Sequence, residues 1–195
     1  IHTYRSEGPA ILSIRFSPDE KLLAAGLENG EILVWHMDSR LLRNHYPTTA
    51  AVTELHFSHK GHLLAAGNGN GETVVVQTQT GAELFRLEKQ STGIQSLAFS
   101  ANDDLLFTGC ENGELSTWST ATGGRIHTDG SHKSRVTGLF QDPGGRYLLS
   151  TSQDGSVKTW DMLTGQIEFT LLGLPKREQM IIHHTGLFDL SDAAA

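Results

Sequence analysis

The chain has 195 residues, of which 37% are hydrophobic and 21 are glycine, and it carries a formal net charge of −7 from 15 basic and 22 acidic side chains. That balance argues against a general binder of nucleic acid or of anionic membranes, and the densest basic groups, Lys133 with Arg135 and Lys176 with Arg177, are too small to reverse it. A single cysteine, Cys110, excludes an internal disulfide framework and a cysteine-rich zinc site and fits a reducing, cytoplasmic setting, while no apolar run approaches the roughly 18–20 residues of a membrane-spanning helix.

In chain order, Ile1–Tyr4 read as an outer strand that lacks the strands expected before it. A first unit follows over residues 5–46. Ile11, Ile14 and Phe16 have the apolar spacing of an inner strand, and Ser17-Pro18-Asp19-Glu20 is a turn built of residues that fix φ or cap the backbone. A second strand, Leu22 to Gly26, runs into Asn29-Gly30, the strongest short hairpin signal, because both residues tolerate left-handed backbone angles. The third strand ends at Trp35, and the polar turn at Asp38-Ser39 leads to an outer strand at Leu41-Leu42.

Residues 47–88 restate this order with Val52, Leu55 and Phe57, then Asn70-Gly71, then Val76 in the tryptophan place, Thr80-Gly81 and Leu84-Phe85. Residues 89–130 do so with Ile94, Leu97, Phe99, Asn112-Gly113, Trp118, Thr122-Gly123 and Arg125-Ile126. In residues 131–171 the series is Val136, Leu139, Gln141 in the aromatic place, Asp154-Gly155, Trp160, Thr164-Gly165 and Ile167-Glu168-Phe169. Residues 172–195 are a tail or partial unit, with Met180-Ile181-Ile182 and Leu187-Phe188 placed to form a hairpin around His183 to Gly186.

The four Asn-Gly or Asp-Gly pairs are separated by steps of 41, 42 and 42 residues, and the same steps relate Ile14, Leu55, Leu97 and Leu139. A period of about 40–45 residues with four short strands per unit marks an all-β fold, a β-propeller with one four-stranded antiparallel blade per repeat. Nothing has a helical period over a useful length. Residues 1–195 therefore read as a single propeller segment of four complete repeats between two partial ones. The opening on Ile1 rather than Met gives the expectation of a longer or processed polypeptide.

The fourth unit, His132-Lys133-Ser134-Arg135-Val136-Thr137-Gly138-Leu139 continuing to Ser152-Gln153-Asp154-Gly155-Ser156-Val157-Lys158-Thr159-Trp160-Asp161, resembles the WD-repeat family of propellers. The resemblance covers residues 5–171 and implies that His132, Ser150, Asp154 and Trp160 form a structural tetrad linking the strands by hydrogen bonds. The other units depart from it: Glu7, Thr48 and Gln90 replace the His, and Asn29, Asn70 and Asn112 replace the Asp. Packing and the Asn-Gly turns are expected to hold those blades. WD-repeat rings commonly close with seven or eight blades, which implies part of a larger ring or a homodimer that completes one. Thr185-Gly186-Leu187-Phe188-Asp189 is similar to the segment after the propeller in some bacterial WD-repeat proteins fused to caspase-like peptidases.

Candidate chemistry is sparse. His56, His59 and His62 lie on a strand end and its turn, without the one-face spacing of a helical zinc pair, and read as exposed turn histidines. Cys110 shares its repeat position with Leu27, Asn68 and Ser152 and reads as a lining residue, not a nucleophile. There is no phosphate loop, since Gly69-Asn70-Gly71 lacks the Lys-Ser/Thr and the following helix. No metal, cofactor or enzymatic activity is expected. The leading expectation is a scaffold that docks proteins or peptides, and by the resemblance its contacts would be Glu28, Asn68, Glu111 and Gln153 in hairpin turns, with Arg135 from a link between blades. The rivals are a regulatory part of a larger peptidase or nucleotide hydrolase and a self-assembling half-propeller.

Overall fold

A computed structural model describes residues 8–173, 179–183, 185–186 and 188–191, so the strand expected at Ile1–Tyr4 lies outside the described residues. The described residues form 18 strands in antiparallel sheets, and the chain divides into two compact units, Ile1–Ile94 and Gln95–Ala195.

The first unit holds two sheets. One orders β1 (Ile11–Phe16), β2 (Leu22–Leu27), β3 (Glu31–His36) and β4 (Leu42–Pro47), and the other β5 (Val52–Phe57), β6 (Leu63–Asn68), β7 (Thr73–Gln77) and β8 (Glu83–Arg86). Alternation along the strands sends Leu22, Ala24, Ile32 and Val34 from the first sheet, and Leu55, Phe57, Leu64 and Val76 from the second, into one core. Gly26 in β2 has a packing reason. A Cβ on Gly26 would stand 2.4 Å from Val52 Cγ1, so only glycine lets the next inner strand approach this closely.

The second unit repeats the scheme with β9 (Ile94–Phe99), β10 (Leu105–Cys110), β11 (Leu115–Ser119) and β12 (Arg125–Asp129). Its other sheet is β13 (Val136–Gln141), β14 (Tyr147–Ser152), β15 (Ser156–Asp161) and β16 (Gln166–Gly173), extended by β17 (Gln179–His183) and β18 (Phe188–Ser191). The last two strands form a hairpin that pairs along the β16 edge, from Phe169↔His183 to Gly173↔Gln179. Phe107, Leu115, Val136, Leu148 and Trp160 form the core of this unit.

Each turn between the first and second strands is closed by a side chain. Ser17, Ser58 and Ser100 accept the backbone N–H five residues on at 2.9, 3.1 and 2.9 Å, and Asp142 accepts that of Tyr147 at 2.5 Å. The same turn needs a left-handed residue, supplied by Glu20, Gly61, Asp103 and Gly145 in successive repeats. The turn before the outer strand needs another, supplied by Arg40, Gly81, Gly123 and Gly165. Strand β1 differs from its counterparts in burial: Ile11, Ile14 and Phe16 are 46%, 51% and 57% exposed, whereas Val52, Leu55 and Phe57 at the same places in β5 are buried.

Candidate functional site

The fourth repeat carries a continuous chain of polar side chains. Trp160 Nε1–H donates to Ser150 Oγ at 2.8 Å, and Ser150 Oγ lies 2.7 Å from His132 Nε2. His132 Nδ1 lies 3.2 Å from Asp154 Oδ2. The tautomer that satisfies every atom has Ser150 O–H donating to Nε2 and Nδ1–H donating to Asp154. Strands β14 and β15 hold Ser150 and Trp160 on one face, the Asp154-Gly155 turn fixes the carboxylate, and the link after β12 brings His132 over it.

Asp154 is saturated. Its Oδ1 accepts Ser156 O–H at 2.6 Å and the Ser156 amide at 2.9 Å, and its Oδ2 accepts the Lys133 amide at 2.8 Å as well as the imidazole. Burial works against its charge, but the hydrogen bonds from Ser156, Lys133 and His132 outweigh it and hold the carboxyl well below the usual carboxylate range. Burial pushes His132 below the ordinary histidine value, despite the hydrogen bond and charge of Asp154, so the ring is neutral near pH 7. Ser156 is a member that the sequence reasoning missed. Its signal was the Asp-Gly-Ser run, in which a hydroxyl two residues after an Asx can return to the carboxylate.

In the third repeat a shorter version stands: Trp118, fully buried, donates Nε1–H to Thr108 Oγ1 at 3.0 Å, and Thr108 shares the repeat position of Ser150. At that position the first two repeats carry Ala25 and Ala66. Their hairpin turns are held locally instead. Asn29 Oδ1 accepts the Glu31 amide at 3.2 Å, and in the second repeat Asn68 Oδ1 accepts the amides of Asn70 and Glu72, both at 3.0 Å.

Of the expected contact residues, Asn68 lies within its own turn. It is 1% exposed, and its Nδ2 donates to Glu72 Oε2 at 2.9 Å, so its amide is consumed in closing its own turn. Glu28 is exposed at the Asn29-Gly30 turn. In the second unit Glu111, Arg135 and Gln153 come together at one end of their sheets: Arg135 Nη2 donates to Glu111 Oε1 at 2.8 Å, and the Gln153 amide donates to the Arg135 carbonyl at 2.9 Å. Both partners of that ion pair keep substantial exposure, and the Gln153 side chain is exposed. Cys110 is fully buried, His59 and His62 are exposed, and His56 is half-buried. Among the described residues no group of three or more His, Cys, Asp or Glu side chains is placed to hold a metal ion.

Comparison with known proteins agrees with the repeats. The family model for the WD domain, G-beta repeat, matches residues 1–36 and 123–161, and that for the anaphase-promoting complex subunit 4 WD40 domain matches residues 45–102. A chain from the crystal structure of the mitotic checkpoint complex is 17% identical, with 96% of this chain and 65% of that one covered and a TM-score of 0.78. The RRP9 WD40 repeats are 15% identical over 92% of this chain and 62% of theirs, with a TM-score of 0.75. The computationally designed Ika4 protein is 29% identical, with 82% of this chain and 95% of its own covered and a TM-score of 0.72. This chain thus spans less than two thirds of the checkpoint-complex and RRP9 chains. No curated protein gives a match.

Proposed function

The chain is built of WD-type repeats in a β-propeller fold, and from that premise we propose that it is a non-catalytic scaffold docking a protein or peptide on the hairpin-turn end of its sheets. The observation that carries this reading is the cluster of Glu111, Arg135 and Gln153 in the second unit. Three exposed polar side chains from two sheets are held together there by an ion pair and a backbone bond, beside the hydrogen-bonded network of the fourth repeat. WD40 propellers generally bind protein partners, and a rim of mixed charge recognises a partner more by orientation than by hydrophobic area. The test is selection of binding peptides from a displayed library on the full chain. Binders should lose at least about tenfold in affinity on the triple variant Glu111→Ala/Arg135→Ala/Gln153→Ala, equivalent to about 1.4 kcal/mol. Binders indifferent to that variant would overturn the placement.

A role as the regulatory part of a larger enzyme is compatible with the same docking surface. Peptidase and nucleotide-hydrolysis assays on these residues are expected to stay at background, and turnover abolished by Cys110→Ala would refute the scaffold. The exposed apolar face of β1 favours a second reading, in which one partner is another copy of this chain.

A further inference from the structure

Outside that cluster, the fourth repeat borders a cavity of about 270 Å³. Ser131, Lys133, Lys158, Thr170, Leu172 and Ile182 line it, and Asp154 with Ser156 completes the wall. Its lining sets two lysines against one carboxylate in a chain with a net charge of −7. The carboxylate in the wall is already engaged by four donors, so it offers the lysines no free acceptor. Among the described residues neither Lys133 nor Lys158 makes an ion pair, and Lys158 Nζ has only a long bond of 3.3 Å to Thr170 Oγ1. The hydroxyl of Ser131 is shut off from solvent and has no partner among the described residues. Lys133, Lys158 and Ser131 thus share the lining with the apolar Leu172 and Ile182.

We propose that this cavity is a binding site for an oxyanion carried on a peptide, a phosphoryl or carboxylate side chain, with the lysines taking the charge and Leu172 and Ile182 taking the aliphatic stem. The proposal rests on the docking reading and adds a ligand chemistry to it. The favourable field has to be local, because charges farther than about 8 Å apart are screened at physiological salt. An acidic peptide would therefore meet the pocket before it felt the net charge of the chain. Phosphoryl binding by two lysines acts as charge attraction, without the two-pronged geometry that an arginine would supply.

The test uses the full chain and short peptides, identical and neutral apart from one central residue, which is phosphoserine, Glu or Gln. Backbone amide shifts in nuclear magnetic resonance are followed at Ser131, Lys133, Lys158 and Thr170. The phosphoserine or the Glu peptide should shift these amides saturably and the Gln peptide should not, and the tighter of the two acids identifies the source of the anion. Lys133→Gln/Lys158→Gln should weaken binding at least tenfold, while Lys158→Arg, which keeps the charge and serves as the folding control, should retain it. The proposal fails if the Gln peptide binds equally, if the double variant loses nothing, or if orthophosphate alone binds as tightly as the phosphopeptide. Library-selected peptides whose affinity depends on Arg135 but not on Lys133 or Lys158 would leave the docking reading standing and remove the pocket from it.

Discussion

At the scale of single residues, the repeats differ in how they hold the same turn. Asp154 anchors a network that reaches Trp160 through His132 and Ser150, whereas Asn29 accepts one backbone amide. Asp154→Ala leaves His132, Ser156 and the Lys133 amide short of an acceptor, and should cost about 1–3 kcal/mol in denaturant unfolding. Asn29→Ala should cost less, and equal losses would contradict a special role for the network. The pH dependence follows from the same atoms. His132 is held neutral by burial, with its folded pKa depressed below the unfolded value of about 6.5. Its contribution is present above about pH 6.5 and is lost as pH falls through the folded pKa, because the unfolded chain takes up the proton first. Asp154, also depressed, contributes stability that is lost only in stronger acid, below the unfolded value of about 3.9. His132→Gln, which places the residue of the third repeat, Gln90, at this position, should flatten the fall in stability as pH drops below about 6.5. An unchanged slope would mean that His132 is not the group responsible.

At the scale of the element, three left-handed turn positions per repeat set where strands begin and end. Arg40 occupies one at φ 59°, and its N–H donates to the His36 carbonyl at 2.8 Å, as Gly81 does to Gln77 at 2.8 Å. Arg40→Gly keeps that bond and relieves the Cβ strain, so melting should rise by an amount equivalent to about 0.5–1 kcal/mol. Gly109→Ala should act in the opposite direction. Its Cβ would stand 2.5 Å from Val136 Cγ1, forcing the inner strand β13 away at a cost of about 1–3 kcal/mol. A neutral Gly109→Ala would show that the two strands are not in close register.

Much at this scale was legible in the chain. The Asn-Gly pairs, the Trp positions and the apolar triplets placed the four-strand order, because turn chemistry and alternation are local. Two features were not legible. The burial of Asn68 depends on Glu72 and Thr49 turning back onto its amide, while the residues at its repeat positions are unlike it in size and polarity. The attachment of β17 to the β16 edge is a choice between pairing partners, which a hairpin signal at Met180 to Phe188 does not encode.

At the scale of the whole molecule, strand β1 exposes an apolar face. Ile14 and Phe16 are more than half exposed, while Leu55 and Phe57 at the equivalent places are buried in the core of the first unit. Covering side chains of this size is worth roughly 1.5–3 kcal/mol each. In sedimentation at micromolar concentration the chain should therefore associate with itself, and Ile14→Thr/Phe16→Thr should shift it towards monomer. A stable, compact monomer before substitution would remove the self-assembly reading and leave the docking reading.

The central claim is that the hairpin-turn end of the second unit is the docking surface, and hydrogen–deuterium exchange with and without a library-selected peptide tests it most directly. Docking there should slow exchange at the amides of residues 111–113, 133–136 and 152–155, with the Gln153 amide among the most protected because its bond to the Arg135 carbonyl would be shielded from opening. Protection confined to β1, or to the outer strands β4 and β12, with the turn amides unchanged, would contradict the account.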